Sequence, residues 1–94
     1  MNLKIKFKGP ISLVTGEKLT LNLPENAKIS DLINDLRRKY LRKAEIKSLD
    51  VVFRDFTAQN LILVNERDIS ALKGVETKLK QGDAIMIINF THGG

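Results

Sequence analysis

The chain has 94 residues, a formal net charge of +5, no cysteine and a single histidine, which is the size of one domain around one core. The lack of cysteine excludes a disulfide framework, a thiolate nucleophile and cysteine-held zinc or iron–sulfur sites, and a lone histidine without an acidic cluster makes no metal site. The positive charge fits an acidic protein partner, RNA or plain solubility and does not choose among them.

No apolar run approaches the ~20 residues of a membrane span. The opening Met1-Asn2-Leu3-Lys4-Ile5-Lys6 alternates and lacks the apolar core of a signal peptide. A cytoplasmic protein is therefore expected.

Leu3, Ile5 and Phe7 alternate with Lys4, Lys6 and Lys8, the period of a strand with one buried face. Gly9-Pro10 interrupts it, and Ile11-Ser12-Leu13-Val14 is expected to continue the strand past a bulge. After a turn at Thr15-Gly16-Glu17, Leu19, Leu21 and Leu23 resume the alternation, giving an N-terminal hairpin closed by Pro24-Glu25-Asn26.

A helix follows. Ser30 is the expected N-cap, and Asp31 and Asp35 sit where carboxylates meet the positive end of the helix dipole. Ile29, Leu32, Ile33, Leu36, Tyr40 and Leu41 form an apolar stripe at helical spacing. Arg37, Arg38, Lys39, Arg42 and Lys43 crowd the other side. They could meet phosphates, but no aromatic platform is interleaved with them. A solvated face with cations well placed for the dipole is preferred, and direct nucleic-acid binding is not expected.

Between Ala44 and Asn60 the pattern weakens: Leu49 to Phe53 suggests a short strand and Asp55 to Asn60 a loop. Leu61-Ile62-Leu63-Val64 is a strand, Asn65-Glu66-Arg67 a turn, and the chain returns briefly through Ile69. Lys80-Gln81-Gly82-Asp83 is a further turn. Ala84-Ile85-Met86-Ile87-Ile88 is apolar throughout, as expected of a central strand covered on both faces, with Met86 a core filler. The chain then leaves the fold from Asn89 onwards. A helix after a hairpin crosses back over the sheet, and a right-handed crossover sets a later strand parallel to the first. The expected class is α+β: a mixed sheet with one main helix packed on one face, over residues 1–90, followed by a flexible tail at 91–94.

The run from Leu61 to Glu66, then Leu72-Lys73-Gly74-Val75-Glu76-Thr77-Lys78-Leu79, Gln81-Gly82-Asp83-Ala84-Ile85 and the ending His92-Gly93-Gly94 resemble the ubiquitin-like sulfur carriers. That family includes the small subunit of molybdopterin synthase, the thiamine-biosynthesis sulfur carrier, the small archaeal modifiers and the ubiquitin-related modifier of tRNA thiolation. The terminal His-Gly-Gly is most similar to the last of these. Glu66 departs from the glycine that many relatives carry there, and no Arg-Pro-Gly precedes Leu61. The resemblance implies a β-grasp (ubiquitin-like) fold.

The resemblance also implies that the working group is the carboxylate of Gly94. The protein would then be a carrier or modifier and not an enzyme, with no permanently bound cofactor, because ATP and Mg²⁺ belong to a separate adenylating enzyme. Sulfur from a donor would give a terminal thiocarboxylate, used by a tRNA-thiolation or molybdopterin-synthesis enzyme. Alternatively the activated tail would join a target-protein lysine. Glycine at Gly93 and Gly94 suits a tail threading a narrow channel, since it has no side chain and the widest φ/ψ range. His92, Thr91 and Phe90 are candidate partner contacts; Phe90 is either packed on the core or offered to the activating enzyme. A monomer is expected. The other readings are the small subunit of molybdopterin synthase and a β-grasp binding module with no tail chemistry.

Overall fold

The computed structural model describes residues 1–90. The elements in chain order are β1 (Asn2–Lys8), α1 (Ser12–Thr15), β2 (Lys18–Asn22), α2 (Ile29–Ile46), α3 (Val51–Arg54), α4 (Phe56–Gln59), β3 (Asn60–Val64), β4 (Arg67–Asp68) and β5 (Ala84–Asn89), with short 3-10 turns at Ile69–Ala71 and Gly74–Glu76. The strands make one mixed sheet in the order β2-β1-β5-β3-β4. β1 is antiparallel to β2 but parallel to β5, with Lys4 beside Ala84 and Lys8 beside Ile88. That parallel pairing is the crossover expected from the element order. The long helix α2 seats Ile29, Leu32 and Leu36, all fully buried, in one core with Leu3, Ile5 and Ile87 of the sheet. Among the described residues no helix is long and apolar enough to cross a membrane.

Local differences from the sequence reading have identifiable causes. Ile11 to Val14 does not extend the first strand. Gly9 turns the chain at φ +90, Ser12 donates both its N–H (3.0 Å) and its hydroxyl (2.8 Å) to the Gly9 carbonyl, and α1 begins. Ile11 and Val14 are both buried; three residues apart, they share a face in a helix and would face opposite ways in a strand. α2 starts before Ser30. Its N-cap is Lys28, whose N–H donates to the Asp31 carboxylate at 2.8 Å, so that Ile29 already belongs to the buried stripe. Asp35 is also buried, held by Arg38 and Lys39 on its own helix.

The segment read as a strand over Leu49 to Phe53 and a loop over Asp55 to Asn60 is two helical turns, α3 and α4. They fill the space beside α2 with Val52, Phe53 and Phe56, all buried, and the ring of Phe53 lies between those of Tyr40 and Phe56 at 6.3 and 6.0 Å. Arg37 Nε donates to the Phe53 carbonyl at 2.8 Å, and Asn60 Nδ2 donates to the carbonyls of Val52 (3.1 Å) and Phe56 (2.9 Å). These bonds satisfy carbonyls that such short helices leave open.

β5 is central, but only one of its faces is covered. Ile85 and Ile87 are buried, whereas Met86 and Ile88 are half-exposed and Ala84 is exposed. Nor does the chain leave the fold at Asn89, which is the buried last residue of β5.

Candidate functional site

The residues that sequence reasoning placed at the chemistry, Gly94, Gly93, His92 and Thr91, lie outside the described residues, and so does the segment 91–94 as a unit. Phe90 is described. It is 52% exposed, and its N–H donates to the Gln59 carbonyl at 3.3 Å. The site is therefore the place from which the C-terminal segment departs, together with the surface beside it.

The root of that segment is tightly built. Asn89 is 4% exposed; its Oδ1 accepts the Ile11 N–H at 3.2 Å and its Nδ2 donates to the Gln59 carbonyl at 2.9 Å. In the β3–β5 register it stands opposite Asn60, whose own amide ties down α3 and α4. Gly9 lies against it from the β1 side; a Cβ at Gly9 would sit 2.1 Å from the Asn89 carbonyl oxygen. Sequence reasoning missed all three. The signal available was an asparagine ending an apolar run and another starting one, and both resemble ordinary strand breakers.

The second component is the sheet face away from α2. Strand alternation puts Lys4, Lys6 and Lys8 of β1 on it, across from Thr20 and Lys18 of β2. On the other side of β1 the register sets Ala84, Met86 and Ile88 beside these lysines, and Leu61 and Leu63 of β3 beyond them. The face is thus split: basic over β1 and β2, apolar and half-exposed over β5 and β3. A partly open depression lies on it, lined among others by Lys6, Leu63, Glu66 and Met86. An unpaired apolar strip edged by cations can hold an apolar protein surface with an acidic rim. No group of three or more histidine, cysteine or acidic residues able to hold a metal occurs among the described residues.

The sharp turn between β3 and β4 borders this face. Asn65 and Glu66 both have positive φ, +50 and +70, as a two-residue hairpin turn requires. Asn65 is locked by its Oδ1 accepting the Ala84 N–H at 3.0 Å and its Nδ2 donating to Asp83 at 2.9 Å. This turn therefore fixes the start of β5 as Asn89 fixes its end.

The model of the ThiS family matches residues 5–94 of the chain. Ubiquitin-related modifier 1 of Schizosaccharomyces pombe is 26% identical over 98 residues, covering the whole of both chains. Among solved structures, the small archaeal modifier protein 1 of Methanosarcina acetivorans superposes with a TM-score of 0.72 at 27% identity, over 99% of this chain and 96% of that one. Urm1 of Trypanosoma brucei also superposes with a TM-score of 0.72, at 23% identity, over 99% of this chain and 95% of that one.

Proposed function

Because the chain belongs to the ThiS family of ubiquitin-like, β-grasp sulfur carriers and modifiers, we propose that it carries sulfur, or is itself conjugated, through the carboxylate of Gly94. A free carboxylate is a poor electrophile: its charge repels nucleophiles and oxide is a hopeless leaving group. An adenylating partner removes both obstacles. A carboxylate oxygen attacks the α-phosphorus of ATP, the bond to the bridging β-phosphate oxygen breaks, and pyrophosphate departs to leave an acyl-adenylate. A sulfur donor at the hydrosulfide level then displaces AMP to give a thiocarboxylate. A lysine amine displacing AMP with loss of a proton gives an isopeptide bond instead. The nucleotide and the Mg²⁺ are held by the partner, and this chain supplies the reacting terminus and the surface that docks it.

The observation that carries the reading is the division of labour around β5. One face of the strand is sealed into the core while the other offers Met86 and Ile88. The same strand then delivers the chain, within five residues, to Gly94. A partner seated on the open face is within reach of the terminus by covalent geometry alone. The receiving enzyme would be one of tRNA thiolation or molybdopterin synthesis.

The test is the intact mass of the protein after incubation with ATP, Mg²⁺, a sulfur donor and the adenylating enzyme encoded in the same genome. A shift equal to one oxygen exchanged for one sulfur is expected in the full chain and not in a chain lacking Gly94. An unchanged mass in both, with the enzyme proven active on another carrier, supports a binding module without tail chemistry.

A further inference from the structure

The register of β5 makes Asn89 anomalous. Ile85 and Ile87 precede it on the buried face, and a third apolar residue would continue the pattern. An amide in its place loses hydration on burial and is tolerated only when its polar atoms are bonded. Here both are, and to separate parts of the chain. The oxygen holds Ile11 at the entrance to α1, and the nitrogen holds the carbonyl of Gln59 at the end of α4. That same carbonyl also accepts from Phe90, the next residue along. Gly9 closes the remaining side, approaching the Asn89 carbonyl so nearly that no larger residue fits. The main chain is thus gripped on three sides at the point where the strand ends.

We propose that Asn89, seated between Ile11 and Gln59 and backed by Gly9, is a positioning residue that fixes the root of the reactive tail. The proposal rests on the reading of Gly94 as the activated group. With the root held at Asn89, the segment from Phe90 to Gly94 can span at most about 17 Å. The partner's nucleotide site then meets a carboxylate whose reach is bounded from one fixed point. Releasing the root frees further residues of β5, lengthens the tether and lowers the effective concentration of the carboxylate at the α-phosphate. Docking uses the open sheet face and is untouched. The loss therefore falls on the chemical step and leaves KM alone.

ATP–pyrophosphate exchange by the adenylating enzyme of the same genome, with the full chain as varied substrate, reads this directly. The variants are Asn89→Ala and Asn89→Leu, the second keeping the branched side-chain shape while removing both hydrogen bonds. Ile33→Ala, on the α2 side of the core, serves as a packing control. Thermal midpoints are measured for all, and exchange is assayed below the lowest. The expected result is a kcat about tenfold lower for both Asn89 variants at unchanged KM, corresponding to about 1.4 kcal/mol of barrier. Ile33→Ala should keep its kcat, and faster hydrogen exchange at the Ile11 and Phe90 amides should appear in the Asn89 variants alone. A kcat that follows the thermal midpoint equally in all three variants would overturn the proposal, and so would a rise in KM with kcat retained. If the wild-type chain loses exchange when Gly94 is removed but the Asn89 variants keep full kcat, only the positioning role falls. If removal of Gly94 changes nothing, the tail reading falls and this proposal with it.

Discussion

The two faces of the sheet are written by the same strands, one residue out of phase, and they differ in almost every physical respect. Toward α2, Leu3, Ile5, Ile62, Ile85 and Ile87 are all at 2% exposure or less. Away from it, the neighbours of those residues are Lys4, Lys6, Leu61, Leu63, Met86 and Ile88, exposed or half-exposed. Burial on the first face stabilises the domain, at roughly 25 cal/mol per Å² of apolar surface removed from water. Apolar surface left on the second contributes little to folding and is available to another molecule. Stability and the proposed docking surface are thus separated by a single step along each strand, and a substitution should affect one without the other.

The largest test of that separation is Ile87→Ala on the covered face. It should cost about 2–5 kcal/mol of unfolding free energy, read by urea denaturation, with docking affinity of the fraction that stays folded unchanged. Gly9→Ala comes next. Positive φ alone costs a non-glycine residue about 1–3 kcal/mol, and displacing the Asn89 carbonyl adds to it; the thermal midpoint should drop, and a midpoint at the wild-type value would show that the corner can rearrange. Met86→Gln, on the open face, should reverse the balance. Its stability should change by less than about 1 kcal/mol, while the KM for the adenylating enzyme rises about tenfold, equivalent to about 1.4 kcal/mol of docking. A KM that does not move would remove the open face from the interface. The smallest effect is a gain: Glu66→Gly relieves the φ of +70 and should stabilise the protein by about 0.5–1 kcal/mol after the entropy of glycine in the unfolded chain is subtracted. Calorimetry would detect it as a small rise in midpoint.

Where periodicity was long enough to be read, the fold was legible. The alternation of Leu3, Ile5 and Phe7 and the stripe from Ile29 to Leu36 gave β1 and α2, and their order gave a later strand parallel to the first; that this strand is β5 came from the structure. Helical turns of four residues carry no readable period and are unstable alone. α3 and α4 exist because Phe53 and Phe56 find a place beside α2 and because Asn60 bonds the carbonyls they expose. No local pattern encodes that. An unbroken apolar run such as Ala84 to Ile88 looks the same whether one face or two are covered, so the open face was hidden. Of the candidate site, Phe90 was found exposed, but the residues that grip the strand end were not foreseen, because each matters only through a partner far away in sequence.

The pairing of β1 with β5 sets Lys4 beside Ala84, close to the widest sequence separation the chain permits. Contacts of that kind require closing a large loop before they give anything back, and they slow folding. They also impose an order of events during synthesis. Until the last strand has been made and has slid between β1 and β3, the centre of the sheet is missing and the apolar half of the open face has not been assembled. A truncated or misfolded copy would therefore lack both the apolar half of that face and the fixed end of β5. On the proposed reading of Gly94 as the activated group, this topology would act as a proofreading step in which only finished molecules are charged.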